Sequence, residues 1–332
     1  MKRVLGIVVL GVGVAVAVFA ACLRFYVTPI ATNIPYDLDE SISVAEAPNG
    51  KYINTTNGQI ETGTLRSSTW VVPQPVLTKD LTGDLAGDVV IWDVYSQLED
   101  VSSGKVITAD SEEIALDRKS GAAADWDGAW IDSGDGQQDN PYEGHSYKLP
   151  FNAEKKSYPY WDGTLGRTVD IEFQSVEQVS GMEAYKYAYT VTNEQIDYDP
   201  ESVRLLRTFF GGGSGDVYYS VTRTIWVEPV TGQFLNVTQS LNVEFKGGNG
   251  TTKLLLAGDF EYTQATKASS ASSIENNRSL LLLVSMYLPI GGGAGGLVLI
   301  IGGVLLIVLT GRKDPSGEAE PKAEVPTAGA TA

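Results

Sequence analysis

Ala184-Tyr185-Lys186-Tyr187-Ala188-Tyr189-Thr190-Val191-Thr192 alternates aromatic with smaller or polar residues, and this period of two places Tyr185, Tyr187 and Tyr189 on one face of a β-strand. Residues 217–227, the turn Glu228-Pro229-Val230-Thr231-Gly232 and residues 234–245 then read as strand, tight turn and strand. Trp226 lies in the first strand of that hairpin. Shorter strands are expected at residues 89–95, 105–108, 113–116, 168–173 and 253–262, separated by Gly, Asp and Asn turns. No long amphipathic helix is expected before Ser269. The fold class that follows is a mainly β domain, an antiparallel barrel or a sandwich.

Both ends of the chain read differently. Residues 4–23 form an apolar run without a charge, and residues 280–310 form a second, each long enough at about 1.5 Å per helical residue to cross roughly 30 Å of hydrocarbon. The expected organisation is therefore a cytoplasmic tip and N-terminal transmembrane helix (1–27), an exported β ectodomain (28–279), a juxtamembrane and C-terminal transmembrane helix (280–310) and a disordered cytoplasmic tail (311–332). The first run continues into Arg24-Phe25-Tyr26, an interfacial belt, which favours an uncleaved anchor over a signal peptide. Phe19-Ala20-Ala21-Cys22 offers an alternative, a lipobox with an acylated Cys22, although Phe19 stands where an aliphatic residue belongs. Lys2 and Arg3 before the first span, with Arg312 and Lys313 after the second, place both termini in the cytoplasm and the ectodomain outside the plasma membrane. Gly292 and Gly296, with Gly11 and Ala15, have the small-xxx-small spacing that lets two membrane helices pack closely.

Composition removes several chemistries. A single Cys and a single His exclude an internal disulfide and the usual zinc ligand sets, and a net charge of −17 argues against nucleic acid, whose binders need a basic face. No cofactor is expected. Asp125, Asp127, Asp132 and Asp135 lie close together among glycines, the oxygen-rich pattern that suits calcium, but their spacing does not match an EF-hand and a solvated acidic loop is the simpler reading. Gly211-Gly212-Gly213-Ser214-Gly215 lacks the Lys of a phosphate loop, and Asp216 stands where a nucleophile elbow needs Gly. His145 would have to carry any catalytic triad alone. No catalytic residue is assigned.

Arg24-Phe25-Tyr26-Val27-Thr28-Pro29, Leu116-Asp117-Arg118 with Gly121, Tyr147-Lys148-Leu149-Pro150-Phe151, Lys155 to Asp162, and Trp226-Val227-Glu228-Pro229 with Thr231-Gly232 together resemble the actinobacterial PorA-family envelope proteins. The resemblance implies an actinobacterial plasma-membrane protein with two anchors around an exported domain, and carries over no catalytic residue. By layout alone the chain also resembles the class B scavenger receptor and lysosomal membrane protein family, which implies an ectodomain enclosing a lipid tunnel. Three functions follow as expectations: a non-enzymatic ectodomain that binds or conveys a hydrophobic envelope component or scaffolds envelope assembly, a porin-like channel, and a carboxylate-dependent hydrolase. In the first, Tyr185, Tyr187, Tyr189 and Trp226 would face membrane or envelope lipid.

Overall fold

The computed structural model describes residues 2–134 and 136–311. Its helices are α1 (Lys2–Cys22), α2 (Thr28–Ala31), α3 (Pro75–Asp80), α4 (Pro200–Phe209), α5 (Gln264–Leu282) and α6 (Leu288–Gly311). Its strands are β1 (Ser41–Ile53), β2 (Ile60–Pro73), β3 (Val89–Asp100), β4 (Lys105–Asp117), β5 (Trp130–Asp132), β6 (Gln138–Asp139), β7 (Tyr158–Asp162), β8 (Arg167–Val179), β9 (Met182–Gln195), β10 (Gly215–Val227), β11 (Phe234–Gly247) and β12 (Thr252–Tyr262). The described chain divides into two compact units, one formed by residues 2–27 with 284–311, the other lying within Thr28–Leu283.

In the first unit α1 and α6 run antiparallel, long and apolar enough to cross a membrane. A Cβ added to Gly13 would fall 2.7 Å from the Ile300 backbone nitrogen, one on Gly296 2.9 Å from that of Ala17, and one on Gly292 3.1 Å from the Ala20 Cβ. The backbones therefore meet because these positions lack side chains. Gly292 and Gly296 lie in this contact, whereas a Cβ on Gly11 meets nothing within 4 Å and Ala15 is exposed. The stripe on α1 instead runs through Gly6, Gly13 and Ala20, spaced by seven, which keeps one seam against the partner helix. Just before Pro289 the helical backbone widens into a π-turn at Leu283–Tyr287. This accommodates a residue that has no N–H and whose ring crowds the preceding turn.

The second unit is one antiparallel sheet of twelve strands in the order β6-β5-β4-β3-β2-β1-β12-β11-β10-β9-β8-β7. Two meanders are thus joined through β1 and β12, with Ala45 opposite Tyr262. That register puts the start of β1 and the end of β12 at the same end of the sheet, here called the tether end. Following the antiparallel strands, the β8–β9 and β10–β11 turns, α3 and the acidic loop after β4 also lie there, while α4 lies at the opposite end.

Hydrogen bonds then join the two edges. Ala124 N donates to Ala115 O, Ala123 N to Gly144 O, His145 N to Pro159 O and Trp161 N to His145 O, a continuous path from β4 to β7. These bridges, antiparallel at Leu116–Ala123 and parallel at His145–Tyr160, close the mainly antiparallel sheet, and of the two expected forms, barrel and sandwich, it is the barrel. Closure covers the backbone of β4 and β7 that would otherwise be open, while the two-residue β6, paired only with β5, stays a short edge.

Alternation decides what faces inward. Val217, Tyr219, Val221, Ile225 and Val227 of β10 are buried, while Ser220 and Thr222 between them are not. The residues between β6 and β7 do not bridge the rim outside. Tyr142, Leu149 and Ala153 are buried, and they belong to the two largest core clusters, one around Trp92 and Ile114, the other around Tyr187 and Phe245. At the tether end Leu149 N bonds Gly232 O and Ala153 N bonds Pro229 O, so this inner segment ties to the β10–β11 turn.

The hairpin read from sequence is β10–β11, with Trp226 opposite Asn236. Residues 105–108 and 113–116 belong to one strand, β4. Strands β1 and β2 are not among the strands expected from the sequence; Pro48-Asn49-Gly50 forms a β-bulge in β1, where the register slips between Ala47 and Gly50 and Asn49 takes a φ of 59°. Helix α4 was also not expected. Asp199 caps it by accepting from Ser202 N at 2.6 Å, with Pro200 in its first turn. Helix α5 begins at Gln264, before Ser269, under a Thr263 cap that accepts from Thr266 N.

Helix α5 packs Ile274 and Ala271 over Ala184, Leu235 and Trp226 on the outer wall. Glu228, buried in the β10–β11 turn, accepts from the Val230 and Thr231 amides, the Thr231 hydroxyl and Arg278 Nε of α5.

Two outcomes follow from these contacts. In a Cys22→Ala background, Ala20→Cys with Gly292→Cys should cross-link readily on oxidation; adding Gly13→Leu should abolish the cross-link, and adding Gly11→Leu should leave it. Glu228→Ala strands the buried Thr231 amide and the half-buried Val230 amide and should lower the stability of the full chain by about 2–4 kcal/mol in denaturant titration; a loss under about 0.5 kcal/mol would contradict this role.

Candidate functional site

Tyr185, Tyr187 and Tyr189 do share one face of β9, and it is the inner one. Tyr187 and Tyr189 are buried, and Tyr185 is half-buried against Phe173 at 5.7 Å between ring centroids. Each hydroxyl of the buried pair is satisfied: Tyr187 donates to Glu154 O at 2.6 Å and Tyr189 to Asp162 Oδ2 at 2.6 Å. Burial holds both phenols well above their ordinary pKa, so they stay neutral donors. Trp226 is not brought to them. Its neighbours Ile225 and Val227 point inward, so its indole lies on the outer wall beneath α5 and donates to Glu177 Oε2 at 2.7 Å.

Beside the tyrosines lie polar groups that sequence reasoning did not single out. Asp162 is buried, accepting from Tyr189, Tyr219 and the Thr164 and Leu165 amides. Arg223 takes the inward position between Val221 and Ile225, donating through Nη1 to Tyr160 Oη at 2.6 Å and through Nη2 to Gln239, while its Nε is buried without a partner. Period-two patterning contained the signal. In β10 an arginine occupies a position of the apolar phase, which marks a charge aimed at the interior.

A third group sits where the sheet closes. His145 is buried, its Nδ1 2.9 Å from Pro159 O, its Nε2 unpartnered, and burial lowers its pKa. Lys148 is 6% exposed, lies over the Phe151 ring at 3.8 Å and has no hydrogen-bond partner for Nζ. Desolvation, opposed in part by Asp117, brings its pKa down to about 7. Across the core, Glu112 accepts from Tyr147 Oη and Asn140 Nδ2, and burial raises its pKa. Ser214, by contrast, lies in the turn between α4 and β10, at the far end from His145, so the two do not form a nucleophilic pair.

The acidic loop stays at the surface. Asp125 and Asp127 are exposed; Asp132 accepts from the Gly134 and Gly136 amides, forming its own turn; Asp135 lies outside the described residues. Among the described residues no group of three or more His, Cys, Asp or Glu side chains is gathered to hold a metal ion. Two open, mainly polar grooves of about 510 and 530 Å³ share Trp126 in their lining, the first reaching Tyr142 and the second Asp80 and Leu85.

A closed β barrel with a filled interior, in a chain with two apolar helices fit to cross a membrane, defines a class of membrane protein. Within it, the chain matches the family described as Porin PorA over residues 5–305, and it belongs to that family. A relative named Porin PorA from Corynebacterium amycolatum is 31% identical over 124 residues, a match covering 30% of this chain and 32% of the relative. The match thus spans about a third of that relative's length.

Lys148 gives a prediction with a definite sign. A lysine whose folded pKa is depressed binds fewer protons folded than unfolded, so stability should rise as pH climbs from about 7 toward the unfolded lysine value near 10.4, and flatten below 7. Lys148→Met should remove this slope and stabilise the full chain at pH 7 by about 1–3 kcal/mol. An unchanged slope in denaturant titrations across that range would show that Lys148 is not the titrating group.

Proposed function

We propose that this protein is a non-enzymatic, two-pass protein of the cell envelope that holds a water-facing β barrel on the outer side of the plasma membrane, as a scaffold for envelope assembly. The observation that carries this reading is the distribution of apolar surface. It is concentrated on α1 and α6, whereas the outer wall of the barrel carries Glu172, Thr190, Thr222, Ser240 and Asp259 on adjacent strands. A wall spanning lipid needs an apolar band about 25 Å tall, in which acidic residues are costly. Such a wall belongs in water. The core favours scaffolding over conveying lipid, because Tyr187, Tyr189, Leu149 and Phe245 fill the interior where a passage would run.

The antiparallel pairing of α1 with α6 supports a topology with both ends of the chain on one side, and Lys2, Arg3, Arg312 and Lys313 support that side being the cytoplasm. The name of the Corynebacterium relative favours a second reading, a channel.

Protease added to intact cells should digest the barrel region and spare a tag at Ala332; loss of the tag would overturn the orientation. Purified full chain in planar bilayers should give no unitary conductance, and reproducible steps abolished by disrupting the Gly13–Gly296 contact would favour the channel.

A further inference from the structure

The outer wall of β1–β4 handles its acids in two ways. In one row Arg66 of β2 stands between Glu46 of β1 and Glu99 of β3 and pairs with both. Six residues back along β3, on the same face, Asp93 stands directly opposite Glu113 of β4. Among the described residues no lysine or arginine forms an ion pair with either of them. Gln74 Nε2 donates to Asp93 Oδ2 and Trp130 Nε1 of β5 donates to Glu113 Oε1 at 3.2 Å, while Asp93 Oδ1 is buried without a hydrogen-bond partner. Two ionised carboxyls can only accept, and residues directly opposite on one face have Cβ atoms about 4.5–5.5 Å apart, so the charged pair is repulsive. One proton reverses this. Carried on Glu113 Oε2, it is donated to Asp93 Oδ1, and Glu113 Oε1 still accepts from Trp130. Burial and the neighbouring Asp93 raise the pKa of Glu113, in the direction this arrangement requires.

The surrounding elements bring no competing charge pair. Along the row lie Val72 of β2 on one side, and Trp130 and then Asp139 of β6 on the other. Tyr95, two residues along β3, is kept a neutral phenol by burial and by Asp93. Ser111, two residues along β4, faces Asp132 of β5, whose carboxylate accepts from the Gly134 and Gly136 amides. Helix α3, packed on β3, carries Lys79 and Asp80, both exposed. Glu112, next to Glu113 in the chain, points inward to Tyr147. What the pair reaches is the β5–β6 hairpin, which stands outside the closed wall and meets β4 only at Ser111–Asp132, Glu112–Ile131 and Glu113–Trp130. The residues at its two roots, Ala129 and Asn140, line the groove of about 510 Å³ that reaches Tyr142.

We propose that Asp93 and Glu113 share one proton and act as a latch on the β5–β6 hairpin, closed in acid and released as pH rises. The closed form binds one proton more than the open form, so rising pH favours opening. Because the Glu113 pKa is raised above its ordinary 4.5, the latch is complete below that value and is lost as pH climbs through the folded one. With both carboxyls ionised Glu113 turns away from Asp93 and Trp130 loses its acceptor. The hairpin is then held by its backbone pairing to β4 and by Asn140 on Glu112, and its displacement widens the groove beside it.

The test uses full-length protein labelled with 5-fluorotryptophan, the Trp130 fluorine resonance being assigned by its loss in Trp130→Phe. Between about pH 4 and 8 that resonance should move in one step with a midpoint above 4.5. Across the step, hydrogen exchange at residues 130–132, corrected for its intrinsic pH dependence, should quicken by about fivefold or more. Glu113→Gln places an amide N–H where the shared proton lies and Asp93→Asn does so from the other side, so each should abolish both changes and keep the hairpin closed. Asp139→Asn, the exposed carboxylate on the same row, should retain them. A resonance that does not move, a midpoint at or below 4.5, or a step that survives in either Glu113→Gln or Asp93→Asn overturns the proposal. So does a step lost in Asp139→Asn, or one that leaves exchange at residues 130–132 unaltered.

Discussion

Every feature of the barrel depends on β1 pairing with β12. These strands lie more than two hundred residues apart in sequence, yet Val44, Ala45 and Tyr52 meet Tyr262, Thr263, Thr266 and Leu256 through backbone and side-chain hydrogen bonds. Without that ladder the two meanders would meet only through the closing segment, with the long edges of β1 and β12 exposed. Loop closure over such a separation costs entropy before any contact offsets it, so formation of this pair is expected to be slow relative to the local hairpins. The same pairing brings the start of β1 and the end of β12 to one end of the sheet.

A wall closed from β4 round to β7 takes in ten of the twelve strands and has room inside, and here side chains and the segment between β6 and β7 take it. That segment contributes Tyr142, Tyr147, Leu149 and Ala153 to two core clusters while its backbone closes the sheet through Gly144 and His145. One stretch of chain therefore fills the interior and completes the wall. The filling is partly polar. Asp162 is well satisfied by two tyrosines and two amides, but Lys148 Nζ, His145 Nε2 and Arg223 Nε are buried without partners. Such groups each cost about 1–3 kcal/mol. Of these three, His145 and Lys148 belong to the closing segment and Arg223 to β10.

The family description and the physical properties of the wall pull in different directions. Transmembrane barrels turn apolar residues outward and polar residues inward. This barrel keeps its largest apolar and aromatic side chains inside and most of its outer strand positions polar, the arrangement of a protein folded in water. Apolar surface reappears outside where α5 covers it and around Ile42, Trp70 and Tyr95.

Much was legible in the sequence by itself. Two uncharged apolar runs determined the two helices, because a helix satisfies its own backbone and needs no partner to be apolar throughout. The alternation in residues 184–192 and 217–245 determined β9, β10 and β11 and the shared face of Tyr185, Tyr187 and Tyr189, because side-chain direction in a strand is a local property. Tertiary structure alone decided which face was inside, which sent the tyrosines into the core and Trp226 beneath α5. It alone turned Pro48-Asn49-Gly50 into a bulge, since only pairing with β2 distinguishes a bulge from a turn. It moved the helix contact from Gly11 and Ala15 to Gly6, Gly13 and Ala20, because the α6 surface selects one seam among several with small residues. Arg223 could be read as inward from its place in the apolar phase of β10, but burial of Lys148 and His145 was hidden, for the desolvation of a charge depends on neighbours brought from distant strands and not on the residues beside it in the chain.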